Sequence, residues 1–122
     1  MNKNMTDKTV RQKTYRLIKN MGIDAGNVGF EYIIDAVAAA YKLADANTGL
    51  TKKDGVYDNV AKIHNKKPSN IERGIRHSIN LLISNSHDND VIESVVGSGN
   101  ITRITNKSFI YGIMQYIIYE DV

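Results

Sequence analysis

Cysteine is absent from the 122-residue chain, and Pro68 is its single proline. Without cysteine the protein has no disulfide framework, no thiolate metal site and no cysteine nucleophile. The apolar segments fall short of the about 20 residues that cross a bilayer, and the N-terminus lacks the apolar core of a signal peptide. We therefore expect a soluble, cytoplasmic protein that makes no contact with a membrane.

The length of the chain suits one domain with one hydrophobic core, and a hydrophobic fraction of 42% is ordinary for a globular protein. We expect a single domain over residues 1–122, with a short polar lead-in over residues 1–8. The net charge is only +3, but basic residues are concentrated in segments 1–20 and 51–77. Such blocks either form a surface that faces a polyanion or are simply solvated.

Apolar residues recur with the 3.6-residue period of a helix along nearly the whole chain. Strand signals are weak, because apolar and polar residues alternate only briefly, in ITRIT at residues 101–105. We therefore predict an all-α fold of six helices. The predicted helices run over about Thr9–Met21, Val28–Ala46, Val56–His64, Ser69–Ser84, Asp90–Val96 and Ser108–Tyr119.

Residues at the helix ends support these boundaries. Gly22 follows the first helix as a stop, Asn27 is placed to cap the second, and Thr105 or Asn106 caps the sixth. The second helix is apolar on almost every side, so it should be the buried centre of the fold. The apolar residues of the sixth helix either complete the core or form a dimer surface.

The third and fourth predicted helices have the spacing of a helix-turn-helix. Ala61 is small enough for close packing, and Asn65, four positions later, tolerates the positive φ of a sharp turn. Ile71 and Ile75 would then face back onto the third helix. The same spacing also occurs in helical hairpins that do not touch DNA.

The fourth helix separates its side chains into two faces. At about 100° per residue, the apolar residues form one stripe and the basic and polar residues form another stripe opposite it. Two arginines one turn apart can enter the same groove, where a guanidinium matches the O6 and N7 acceptors of guanine. The apolar stripe consists of Ile71, Ile75, Ile79 and Leu82, and the outward stripe consists of Arg73, Arg76, His77 and Asn80.

Several charged residues allow two interpretations. Ser69 and Glu72 have the spacing of a capping box, so Glu72 is either a cap or an acceptor for a cytosine amino group. Lys66 and Lys67 in the turn, like His77 on the outward stripe, either face phosphates or are solvated. Arg11 and Arg16 are predicted either to form a solvated face of the first helix or to make a further DNA contact.

The segment VYDNVAKIHNKKPSNIERGIRHSI, residues 56–79, resembles the DNA-binding effector domain of the response regulator that initiates sporulation in endospore-forming bacteria. The run ERGIRHSI carries most of this resemblance, which extends from about Tyr15 to Ile118. It implies a six-helix domain whose fourth helix enters the major groove of double-stranded DNA. By position it assigns base reading to Glu72, Arg73 and Arg76, and backbone contacts to Lys66, Ser69 and His77; Lys67 and Asn80 are added as backbone contacts from their places in the turn and the outward stripe.

The resemblance also implies partners, and this chain differs from the family in two respects. Members of the family bind half-sites as tandem dimers, and their activators touch a sigma subunit of RNA polymerase through the region after the recognition helix. Here that region, residues 86–99, carries several acids and departs from the family's pattern. The family's phosphorylatable receiver domain precedes the effector, whereas about fourteen residues stand there in this chain, so we expect a stand-alone effector domain or a fragment of a longer protein.

Two other functions compete with DNA binding. An enzyme is disfavoured, because the three histidines have no metal-ligand spacing and the GSG at residues 97–99 lacks the lysine and strand of a phosphate loop. We therefore expect no catalytic activity, no cofactor and no metal. The second competitor is a protein-interaction module that keeps the fold without binding DNA, and the retained arginines and turn lysines argue against it.

Overall fold

The computed structural model describes residues 5–43, 49–85, 90–97 and 103–120. Within this part of the chain there are six α-helices and no strand, which confirms the predicted all-α fold. The helices are α1 (Asp7–Met21), α2 (Val28–Lys42), α3 (Val56–His64), α4 (Pro68–Asn85), α5 (Asp90–Val96) and α6 (Asn106–Tyr119).

The helix ends follow the local capping signals. Gly22 ends α1 in the left-handed conformation, with a φ of 109°, and Asn27 caps α2 by accepting a hydrogen bond from the Gly29 amide. Thr105 caps α6 through a reciprocal pair of hydrogen bonds with Ser108. These three predictions are confirmed.

The predicted starts of the first, fourth and sixth helices were late by one or two residues. The first helix begins at Asp7 and not at Thr9, because the side chain of Thr6 accepts a hydrogen bond from the Thr9 amide and so caps the helix earlier. The second helix ends at Lys42. Its predicted end at Ala46 lies outside the described residues, as do the first two residues of the ITRIT segment.

The predicted central helix, α2, is the buried centre of the fold. It contacts α1, α3, α4 and α6, and Ile33, Ala36 and Val37 on it are completely buried. Burying side chains of this size stabilises the folded state by about 1.5–3 kcal/mol for each large residue. The apolar residues of α6 complete this core, which settles the choice between core and dimer surface for Ile110, Ile113, Met114 and Ile117.

The backbones of α2 and α4 approach each other closely at two glycines. A Cβ atom on Gly29 would lie 2.0 Å from the Ser78 Oγ and 2.5 Å from the Gly74 carbonyl oxygen. A Cβ atom on Gly74 would lie 2.7 Å from the ring of Tyr32. The Ser78 Oγ also donates a hydrogen bond of 3.0 Å to the Asn27 Oδ1. These contacts fix the position at which α4 lies across α2.

A buried carboxylate connects the first three helices. Asp35 on α2, only 6% exposed, accepts a hydrogen bond from Arg11 on α1 and lies 2.5 Å from the Nε2 of His64 on α3. Burial lowers the pKa of Arg11, but its bonds to Asp35 and Asp7 outweigh burial and raise the pKa above its usual value. The interpretation of the first-helix arginines as a solvated face was therefore wrong for Arg11, whereas Arg16 is exposed.

Replacing Gly29 by alanine should destabilise the protein, because the new methyl group collides with the backbone of α4 and not only with a movable side chain. We expect the free energy of unfolding to fall by about 2 kcal/mol or more, as in other overpacked helix contacts. Urea denaturation of the purified protein measures the change. Gly26→Ala is the matched control, since its nearest contact would be an ordinary 3.5 Å; equal stability of the two variants would contradict a close approach of α2 and α4.

Candidate nucleic-acid interface

The turn between α3 and α4 has the conformation that the sequence predicted. Ala61 is buried, and Asn65 adopts the left-handed conformation with φ 53° and ψ 48°. The amide of Lys66 then donates a 3.0 Å hydrogen bond to the Ala61 carbonyl oxygen, which also accepts from the Asn65 amide, so the end of α3 is capped by the turn. This sharp turn leads the chain directly into α4.

The start of α4 differs from the prediction. The helix begins at Pro68, and the Lys67 carbonyl oxygen accepts the first helical hydrogen bond from the amide of Asn70. Proline suits the first helical position, because its φ is already helical and it has no amide hydrogen that would lack a partner. Ser69 therefore lies inside the first turn, and the predicted capping box of Ser69 and Glu72 was wrong.

The two predicted faces of α4 are present. Ile71, Ile75 and Ile79 are completely buried and Leu82 is 4% exposed, so the apolar stripe forms part of the core. The opposite side of the helix is exposed to solvent. The exposed residues that were predicted to contact DNA are Lys66, Lys67, Ser69, Glu72, Arg73, His77 and Asn80.

Arg73 extends from the exposed face of α4. Its Nη1 donates a hydrogen bond of 3.3 Å to the Asn70 Oδ1, one turn earlier on the same helix. The bond is exposed to solvent, so it competes with water and constrains the guanidinium only weakly. The side chain of Arg73 is therefore available to a ligand that approaches α4 from solvent.

Arg76 is half-buried on the flank of α4. Its Nη1 donates a hydrogen bond of 2.9 Å to the carbonyl oxygen of Ile104, immediately before α6. A guanidinium has five N–H donors, so this bond leaves the Nε and Nη2 edge able to bind a second acceptor. The sequence pattern missed this contact, because no periodicity within α4 reports a segment that returns from elsewhere in the chain.

The first turn of α6 is fastened to the helix-turn-helix by a buried amide. The Nδ2 of Asn106, a residue 5% exposed, donates to the Tyr57 hydroxyl at 3.1 Å and to the Glu72 carbonyl oxygen at 3.0 Å. Its Oδ1 has no hydrogen-bond partner among the described residues. Burial raises the pKa of Tyr57, so its hydroxyl stays protonated at neutral pH. Asn106 thus joins α3, α4 and α6 at one point. The sequence pattern had indicated this residue only as a candidate cap of the sixth helix.

The described residues offer little for other kinds of site. They contain no group of three or more histidine, aspartate or glutamate side chains arranged to hold a metal ion. Of the helices described, none has both the length and the apolar character needed to span a membrane.

The exposed, basic helix α4, which follows a sharp turn after α3, places the protein among helix-turn-helix domains. Residues 14–117 match the family described as sporulation initiation factor Spo0A C terminal, and the chain belongs to this family. The family is the DNA-binding effector domain of a sporulation transcription factor, not an enzyme family. The resemblance drawn from the run ERGIRHSI is thereby confirmed.

Replacing Tyr57 by phenylalanine should lower the free energy of unfolding by about 1 kcal/mol at neutral pH, because it removes a buried hydrogen bond to Asn106. Tyr15→Phe is the matched control, since the hydroxyl of Tyr15 accepts a hydrogen bond from the exposed Lys19 and not from a buried group. Urea denaturation compares both variants with the unaltered protein. Equal losses would contradict a stabilising role for the Tyr57–Asn106 bond.

Comparing the Tyr57→Phe variant with the unaltered protein also tests the raised pKa of Tyr57. In the unfolded chain Tyr57 ionises near its ordinary pKa of about 10, whereas the folded protein keeps it protonated to higher pH. Its contribution to stability is therefore complete below about pH 10 and is lost as the pH rises through the folded value. We expect the Tyr57→Phe variant to lose less stability than the unaltered protein between pH 8 and about pH 11. Tyr111, whose pKa burial also raises, is present in both proteins and cancels in the comparison.

Proposed function

We propose that the protein binds double-stranded DNA sequence-specifically and regulates transcription, with α4 as the recognition helix in the major groove. The observation that carries this proposal is the exposure of Arg73, Glu72 and His77 on one side of α4 while the other side is buried. The major groove of B-DNA is about 12 Å wide and admits one α-helix. A helix that is packed on one side only can enter that groove without breaking its contacts with the core.

Glu72, Arg73 and Arg76 are the proposed base-reading residues. Arg73 reaches guanine as an extended, solvated side chain, and its forked donors match the O6 and N7 atoms. Arg76 uses one nitrogen on the Ile104 carbonyl and presents the other edge to the DNA. An arginine that is already held in place loses less conformational entropy on binding than one that is free. Glu72 forms no ion pair among the described residues, so its carboxylate can accept from a cytosine amino group.

The remaining exposed residues are proposed to contact the DNA backbone. Lys66 and Lys67 lie in the turn before α4, and Ser69 lies in its first turn, where they would meet the phosphates at one edge of the groove. His77 and Asn80 lie further along the same exposed side. Such contacts set the position of the protein on the duplex but do not distinguish one base pair from another.

Binding to paired half-sites as a homodimer, and contact with a sigma subunit of RNA polymerase, also belong to the proposal. Helix-turn-helix proteins commonly bind as dimers whose half-sites lie one helical turn apart. Tyr116 and Tyr119 on α6 are exposed apolar residues outside the core, 37% and 54% exposed, and are available to a second copy of the chain. The sigma contact that the resemblance implies would fall on the segment after α4, which includes α5 and departs from the family's pattern.

Substitutions in α4 and in the turn should have different effects on specificity. Arg73→Ala is expected to relax the preference at particular base pairs by about 1–3 kcal/mol, because the bidentate contact is lost. Arg76→Ala is expected to do the same at a neighbouring position. Lys66→Ala should weaken all duplexes alike, because a phosphate contact carries no sequence information. Selection of bound duplexes from a random pool measures all three, and equal weakening without any change of preference would refute the recognition-helix assignment.

A salt titration separates DNA binding from a protein-interaction module of the same fold. Each phosphate that a lysine or arginine neutralises releases counterions, so the logarithm of the affinity should fall linearly with the logarithm of the salt concentration. With Lys66 and Lys67 both engaged, the slope should be about −2 or steeper. Fluorescence anisotropy of a labelled duplex gives the slope, and a flat dependence would favour the interaction module.

A further inference from the structure

A groove runs along the flank of α4 that carries Glu72 and Arg76. Its volume is about 360 Å³, and its other walls are the segment before α3 and the first turn of α6. We call it the flank groove. Besides Glu72 and Arg76, the side chains that matter for its chemistry are Lys52, Tyr57 and Lys107.

The walls of the flank groove are held in place by buried or half-buried contacts. Leu50, 8% exposed, accepts a hydrogen bond of 3.0 Å from the Tyr57 amide, and the Lys52 carbonyl oxygen accepts one of 2.8 Å from Gly55. On the opposite wall, Asn106 donates to the carbonyl oxygen of Glu72. Both segments that carry the groove's lysines are therefore fastened to the helix-turn-helix.

The flank groove has an excess of positive charge. Lys52 and Lys107 are exposed, and neither forms an ion pair with any carboxylate in the part of the chain that the structure describes. Arg76 adds a third positive charge, against the single carboxylate of Glu72. Cationic side chains spread over the two walls of an open groove favour an extended anion over a single small one.

The width of the DNA major groove indicates which part of the DNA would lie against the flank groove. An α-helix with its side chains is about 10–12 Å across, so it nearly fills a major groove about 12 Å wide. The flanks of the helix must then lie against the two sugar-phosphate strands that border the groove. Lys66 and Lys67 are at the start of α4, whereas the flank groove runs beside its middle turns at Glu72 and Arg76.

We propose that the flank groove binds the phosphates of one DNA strand, with Lys52 and Lys107 as a pair of backbone contacts from outside the helix-turn-helix. This inference rests on the proposed DNA binding and extends it to two further elements. Arg76 then lies at the boundary between the base edges and that strand, and its bond to Ile104 keeps the α6 wall of the groove next to the recognition helix.

The test compares two double variants that lose the same charge. In Lys52→Ala/Lys107→Ala the flank groove loses both lysines, whereas Lys8→Ala/Lys19→Ala removes two exposed lysines from α1. We expect the first variant to bind every duplex roughly tenfold more weakly near physiological salt, and its salt slope to be shallower by about 2. The order of preferred sequences should stay unchanged. Thermal melting of both variants verifies that they are folded.

Ethylation interference locates the contacts on the DNA. With the unaltered protein, ethylating particular phosphates of the bordering strand should block binding, and the flank-groove variant should become insensitive at those positions only. If that variant keeps the slope and interference pattern of the unaltered protein, while Arg73→Ala still changes base preference, the flank-groove proposal is refuted and the proposed function stands. If the unaltered protein binds no duplex, both are refuted.

A free phosphate ion is the other anion that the lysines of the flank groove could bind. At constant ionic strength, millimolar inorganic phosphate should not raise the melting temperature of the unaltered protein, since an open groove with dispersed lysines grips a single small anion weakly. A rise that is abolished in Lys52→Ala/Lys107→Ala would assign the groove to a small anion and overturn its assignment to the DNA strand.

Discussion

The close contact between α2 and α4 is the constraint on which the rest of the structure depends. Gly29 and Gly74 allow the two backbones to approach so closely that a methyl group on either would meet backbone or ring atoms. Because α2 is the buried centre of the fold, a helix packed against it at this distance has little freedom to shift. The exposed side of α4 is consequently held at a defined height above the core.

Polar contacts at the edges of α4 fix the orientation of the helix on the core. Ser78 bonds to Asn27 at the start of α2, and the carbonyl oxygen of Glu72 bonds to Asn106 at the start of α6. On the α6 side, Arg76 reaches the Ile104 carbonyl. These groups leave the outward side chains of α4 solvated while they fix the helix that carries them. Side chains on a rigid element are positioned more accurately than side chains on a loop.

Structural features that depend on a few neighbouring residues were predictable from the sequence. Gly22, Asn27 and Asn65 each act through the conformation or side chain of one position, and each was predicted in its observed role. The capping box at Ser69 failed because Pro68, one residue earlier, is itself a better first helical residue. The solvated interpretation of Arg11 failed because Asp35, which pairs with it, lies in another helix.

Patterns along the chain are enough to predict the six helices of the described residues, the two faces of α4 and the membership of the family, because helical periodicity, capping and the run ERGIRHSI each involve residues close in sequence. The folded structure is needed to show that Arg76 is bonded to Ile104, that Asn106 joins three helices, and that two distant lysines share a groove beside α4. The physical reason is that these contacts exist only once the core has brought remote segments together. Hydrophobic burial drives that assembly, but the pattern of apolar residues does not record which polar groups will meet at its surface.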